Sequence, residues 1–317
     1  IHCFSSKVNQ KIFTPFHLAQ AVPILMLILG FTHTLSFKNK NLKKIKECYS
    51  KYYFKNKFNR FIIPFLIAYF IGIIINYFFQ NKIVLGMLEN GEGNYWMYYL
   101  FQFIIVFPLL YYFYQKNSRK TIIISFIIVI IYQLSFYVFE NRGIIFNIQK
   151  LLLFRELGYI VLGMWFADKY NYKEKQYFLK QYKYLFILFV ISIVYYILNI
   201  VYGESFVKLL YLRTFHFPSK DFFSYIYVLM FVILGVIYLP DECKNFLTKF
   251  LKYIGKASYH IYLFQTLFFI AMYFIFNSTF GYDILTNLIF AFFILVYCII
   301  GGILFYEFDK RILIFSN

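Results

Sequence analysis

The sequence predicts an all-α fold, a polytopic bundle of membrane-crossing helices forming a single domain over residues 1–317. Three observations carry that prediction. Apolar residues make up 62% of the chain and its mean hydropathy is +0.64, whereas about half the residues of a soluble domain are apolar. The apolar runs are about 18 to 22 residues long, the length of helix that crosses a bilayer core, and they lack the alternation of a membrane β-barrel. The cations collect in the short connections between these runs, which sets an orientation, cation-rich connections inside.

The net charge of +18 is therefore a topology signal. No soluble basic face for nucleic acid is formed, because the cations are dispersed between spans. Cys3, Cys48, Cys243 and Cys298 show no CxxC pair or regular spacing, so neither a disulfide framework nor a zinc site is expected. No Walker motif, HExxH or GxSxG occurs.

Taken in order, residues 1–3 read as the tail of an earlier helix, expected to end near His2, and residues 4–14 as a polar connection. Pro15 to Phe37 is the first complete span. The connection after it carries nine cations between Lys38 and Arg60 against one acid, Glu47, and is placed in the cytoplasm. Arg60 to Phe79 returns outward, Trp96 to Tyr114 inward, Thr121 to Phe139 outward and Leu151 to Ala167 inward, toward a lysine-rich loop. Tyr184 to Tyr202, Phe222 to Leu239, Ser258 to Phe276 and Ile284 to Phe305 complete about nine spans with a cytoplasmic C-terminus. An odd count that begins outside supports a missing first helix, which would make ten. Within the connection before Ser258, NFLTKFLKYIG has helical apolar spacing and is expected at the membrane surface.

Polar groups within a span cost about 2.5 to 3.5 kcal/mol on insertion scales, so each is a candidate for function. His2, His17, Gln20, His33, Gln102, Arg155, Glu156, Tyr259, His260, Tyr262 and Gln265 are those present. A neutral His2 can act as a general base on a hydroxyl, or lie as an interfacial loop residue. His17 and Gln20 share a face, which serves an interhelical hydrogen bond as well as catalysis. His33 lies at the inner end of its span, where headgroup contact is the alternative to a role beside a cytosolic donor. Arg155 and Glu156 are adjacent and point about 100° apart on a helix, so each is expected to pair elsewhere rather than with the other. Lys57 and Arg60, three apart at a helix start, suit an anionic cofactor from the cytosol, with positive-inside charge as the alternative.

Several blocks together resemble the acyltransferase-3 family of integral membrane acyltransferases, over nearly the whole chain. AVPILMLILGFTHTLSF is similar to its second-helix pattern, with Leu29 in place of a Ser before Gly30, and YYFKNKFNRFIIPFLIAY resembles its RxxR signature with Lys57 in place of the first Arg. YWMYYLFQFIIVFPLLYYF, FRELGYIVLGMWFADK and IGKASYHIYLFQTLFF resemble three further helices of the family; Gln265 stands where many members have His. The family's signature of Arg or Lys, ten residues, then His aligns its His with His2, so the resemblance makes His2 the leading catalytic candidate.

The resemblance implies O-acylation, most often acetylation, of a cell-surface polysaccharide in a bacterial cytoplasmic membrane, completed by the membrane domain itself. The intercellular-adhesin-modifying and fucose O-acetylase-like branches are similar in size and layout. Acetyl-CoA or another acyl-CoA is the implied donor, with no metal. Lys57, Arg60, His33, Tyr259 and Gln265 are its expected contacts, and Arg155 and Glu156 are expected to join His2 in catalysis. A transporter of lipid-linked saccharide and a non-catalytic scaffold of a polysaccharide synthase complex are the readings from other classes.

Overall fold

A computed structural model describes residues 21–80, 95–139, 151–170, 181–202, 219–238, 245–276 and 284–315. Every regular element among them is helical. The described residues fall into two compact units, one drawn from Lys11–Tyr49 and Met97–Leu239, the other from Ser50–Trp96 and Pro240–Asn317.

In the first unit, α1 (Ala21–Asn39) packs along α7 (Leu157–Lys169). Glycine makes that approach possible. A Cβ on Gly30 would overlap the Ile160 carbonyl and one on Gly163 the Leu27 carbonyl, so the backbones touch as small-residue faces allow between membrane helices. Phe31 stacks on Phe166 with ring centroids 4.7 Å apart and closes the contact above the glycines. The two glycine-bearing blocks singled out in the sequence are thus the two sides of one helix crossing. Around it lie α5 (Tyr95–Lys116), α6 (Ser118–Phe139), α8 (Lys183–Tyr202) and α9 (Ser219–Tyr238). Tyr159 on α7 meets α9 twice, through a hydrogen bond with Ser224 and a ring stack on Tyr225 at 4.2 Å.

The basic connection after α1 is ordered by its one acid. The Glu47 carboxylate accepts the backbone N–H groups of Lys43 and Lys44 at 3.0 and 3.1 Å and so closes the turn into the short helix α2 (Ile45–Cys48). Tyr49 then donates to the Ile105 carbonyl at 2.6 Å, which ties the connection to α5.

The second unit begins with α3 (Lys51–Lys57), capped by Ser50, whose hydroxyl accepts from Tyr53 N–H at 3.2 Å. A π turn, Phe58–Ile62, joins it to α4 (Ile63–Gln80). Pro64 explains the turn: it has no N–H to return to the carbonyl four residues back, and the chain absorbs the break by widening its turn there. α10 (Phe246–Phe276) packs on α4 and on α11 (Ile284–Phe315). At the α10–α11 crossing Gly302 lies against the Ile261 backbone and Gly301 receives the Phe264 ring.

Helices occupy all nine stretches expected to cross the membrane. Among the described residues, 45–78, 96–116, 118–135 and 292–311 are each long and apolar enough to do so. Two boundaries differ from expectation. NFLTKFLKYIG is helical from Phe246 on, as its spacing predicts, and continues without a break into the span expected from Ser258, so that α10 runs for 31 residues. α7 begins only at Leu157, after a 3-10 turn over Leu153–Glu156. Its 13 residues extend about 20 Å, short of a bilayer core of about 30 Å.

Candidate active site

The first unit carries a cavity of about 770 Å³ at the end where α1, α5 and α7 finish and α6 begins. Among the described residues four cations line it, Lys38, Lys43, Lys116 and Arg119, with a single carboxylate, Asp168. They come from distant parts of the chain, and the α1–α7 crossing and the α5–α6 corner bring them together. Lys38 Nζ donates to Asp168 Oδ1 at 2.7 Å. Lys116 lies over the Tyr112 ring at 4.4 Å. Tyr114, also on the lining, is buried with its hydroxyl unpartnered among the described residues. Cations with hydroxyls beside them suit an anionic ligand that bears several phosphates.

Deeper in the same unit, the 3-10 turn presents Arg155 and Glu156. Gln102 builds this turn: its amide donates to Leu151 O at 2.7 Å and accepts from Leu153 N at 2.9 Å. That intramembrane polar group is thus a backbone clamp. Glu156 is buried while Arg155 is half exposed, and Arg155 Nε lies 3.8 Å from Glu156 Oε1. The expectation that the two would not pair is corrected: adjacent positions diverge by about 120° in a 3-10 turn, more than in an α-helix, so it is the reach of the two long side chains and not the turn that brings them to 3.8 Å. Burial makes an ionised Glu156 costly, and the adjacent guanidinium offsets that cost.

His33 is also buried here. Its Nδ1 lies 3.0 Å from Leu29 O, which fixes that nitrogen as the protonated one, and its ring meets Phe103 and Phe107 edge-on at 5.0 and 5.3 Å. Its neighbour Thr34 lines the cavity, whereas His33 faces the phenylalanines.

The second unit gathers another group of expected residues. Lys57 enters the π turn and Arg60 lies within it. Lys57 Nζ stands 5.6 Å from the Tyr53 ring and 5.4 Å from the Phe61 ring, and Arg60 stands 5.3 Å from Phe61. Tyr259 on α10 donates to Phe61 O at 2.7 Å and ties the turn to the helix. Gln265 is half-buried on the same helix. Beside Tyr259, His260 Nε2 meets Asp309 Oδ2 at 3.0 Å. Both side chains are almost wholly enclosed, and His260 Nδ1 and Asp309 Oδ1 have no partner among the described residues.

His2, His17 and Gln20 lie outside the described residues. The remaining expected residues divide between the units: His33, Arg155 and Glu156 in one, Lys57, Arg60, Tyr259 and Gln265 in the other. Sequence reasoning missed the cavity cations as a group and Asp309 as the partner of His260. Lys116 and Arg119 looked like ordinary topology charges. Asp309 sat between Glu307 and Lys310 in what read as a polar chain end; the one available signal was a carboxylate within reach of a helix continuing past Phe305.

The acyltransferase-domain family model matches residues 3–307, nearly the whole chain. Comparison with curated proteins and with solved structures returned no match. With that match over a multi-pass helical architecture, the chain belongs to the acyltransferase-3 family and is a membrane acyltransferase.

Proposed function

We propose that this protein moves an acyl group, acetyl foremost, from cytosolic acyl-CoA to a hydroxyl of a cell-surface polysaccharide or its precursor. The reaction takes place in the bacterial cytoplasmic membrane, with about nine spans and the C-terminus inside. The observation that carries the reading is the cavity lined by Lys38, Lys43, Lys116 and Arg119 in a chain of an acyltransferase family. Phosphates of the donor bind these cations in forked and point-charge contacts. Lys57 and Arg60 are the alternative landing place for the same phosphates, and mutation separates the two.

His2 takes the proton of the acceptor hydroxyl as its oxygen attacks the thioester carbonyl, directly or through an acyl intermediate. The carbon–sulfur bond breaks, coenzyme A leaves as the thiolate, and the proton held on His2 is released to solvent as the thiolate is protonated. Arg155 is suited to steady the oxyanion and Glu156 to hold Arg155 in place.

Purified protein in lipid nanodiscs, given radiolabelled acetyl-CoA and a polysaccharide acceptor, should acetylate it, and His2→Ala should abolish transfer without loss of expression. Unchanged transfer by His2→Ala removes the base assignment. Failure to bind any acyl-CoA favours a saccharide transporter or a scaffold of a synthase complex instead.

A further inference from the structure

Among the described residues Asp168 is the one carboxylate on the cavity lining, and no step of the proposed transfer uses it. Its position does nothing for its own helix. It lies at the C-terminal end of α7, where the exposed carbonyls repel an acid. What it does have is Lys38, at 2.7 Å, with about a third of each side chain exposed. Lys43, Lys116 and Arg119 have no carboxylate within ion-pair distance among the described residues. Among the described residues the cavity thus contains three cations clear of any carboxylate, one of them, Lys116, over the Tyr112 ring, together with one buried hydroxyl without a partner, Tyr114, and one cation already engaged by an acid.

A ligand with several phosphates would meet the three open cations first and then compete with Asp168 for Lys38. That competition bears on turnover. In the proposed reaction the spent donor keeps every phosphate of the acyl form, so a site that grips phosphates alone holds product as firmly as substrate.

We propose that Asp168 sets the affinity and release rate of the anion bound in this cavity, by competing with it for Lys38 and reclaiming Lys38 as it leaves. The ligand's identity rests on the proposed function; the competition does not.

The test measures dissociation constants and off-rates for coenzyme A on the full chain in detergent, for wild type, Asp168→Asn, Lys38→Gln and the double variant, and repeats them with inorganic pyrophosphate. Removing an exposed competitor should tighten binding about three- to tenfold and slow release by a similar factor. In the Lys38→Gln background the same change should have less than about a twofold effect, since the carboxylate acts through Lys38. Asp168→Glu, which keeps the charge, should restore wild-type release and guards against a fold defect in the Asn variant. Weaker or unchanged binding by Asp168→Asn overturns the proposal, and so does equal tightening in both backgrounds, which would show a general field instead of competition. If the pattern holds for pyrophosphate while coenzyme A does not bind, the competition stands and the donor assignment falls.

Discussion

The cavity and the π turn are both supplied with cations by connections at helix ends, yet they hold them in different ways. At the π turn, Lys57 and Arg60 lie against the faces of Tyr53 and Phe61. Around the cavity, Lys116 lies over the Tyr112 ring and Lys38 on Asp168, while Lys43 and Arg119 border an open volume with hydroxyls beside them. A cation on a ring face is partly satisfied by the ring, worth about 0.5–1 kcal/mol where exposed. One facing a cavity gains most of its interaction energy only when an anion arrives. In the proposed reading the cavity is the landing place for the donor's phosphates, and the π turn, which carries the recognisable motif, is the alternative.

The strongest test of this contrast attacks the scaffold of the cavity. Gly163→Leu should prevent the α1–α7 approach that brings Lys38 to Asp168, with a loss of about 3 kcal/mol or more. Loss of the monodisperse peak in detergent gel filtration would register it. Gly235→Ala, where an added Cβ meets nothing within 4 Å, should leave that peak unchanged.

On the other unit, Asp309→Ala leaves His260 enclosed without its carboxylate, and should cost about 3 kcal/mol as a large fall in melting temperature. A melting temperature equal to wild type would mean the pair contributes nothing to α10–α11 packing. Smaller and more telling is the direct comparison of cations. Lys116→Ala with Arg119→Ala should weaken coenzyme A binding ten- to hundredfold, about 1.4–2.8 kcal/mol, while Lys57→Ala with Arg60→Ala should change it less than about threefold. The reverse order, measured by titration calorimetry, would move the donor to the π turn. The smallest effect is expected from Tyr259→Phe. Losing one interhelical hydrogen bond should cost about 0.6–1 kcal/mol and show as faster amide exchange at Phe58–Ile62, with affinity for coenzyme A unchanged.

Much of the helical order was legible because bilayer thickness and backbone hydrogen bonding restrict a long apolar run to one structure. The nine expected spans have helices in place for that reason. The blocks around Gly30 and Gly163 could be seen as motifs, but that they face each other could not, since contact between helices follows from shape and not from spacing along the chain. Gln102 could be marked as a costly polar group, while its role as a clamp on the Arg155–Glu156 turn required knowing which backbone lay opposite. The failed expectation for Arg155 and Glu156 came from judging by backbone angle alone, when two long side chains span the gap between adjacent positions. That α10 starts twelve residues before its expected span was not legible, because a run of lysines reads as a membrane boundary and is equally good helix.

The class of protein could be read from the sequence: helical, membrane-crossing and carrying the motifs of an acyltransferase family. Those properties depend on local hydropathy, charge and pattern, which each segment expresses wherever it packs. Tertiary structure alone decided which cations share a cavity, that Asp168 sits among them on Lys38, and that His260 is closed off with Asp309. Each of these is a meeting of residues far apart in the chain, and only the close packing of particular helix faces brings them within reach.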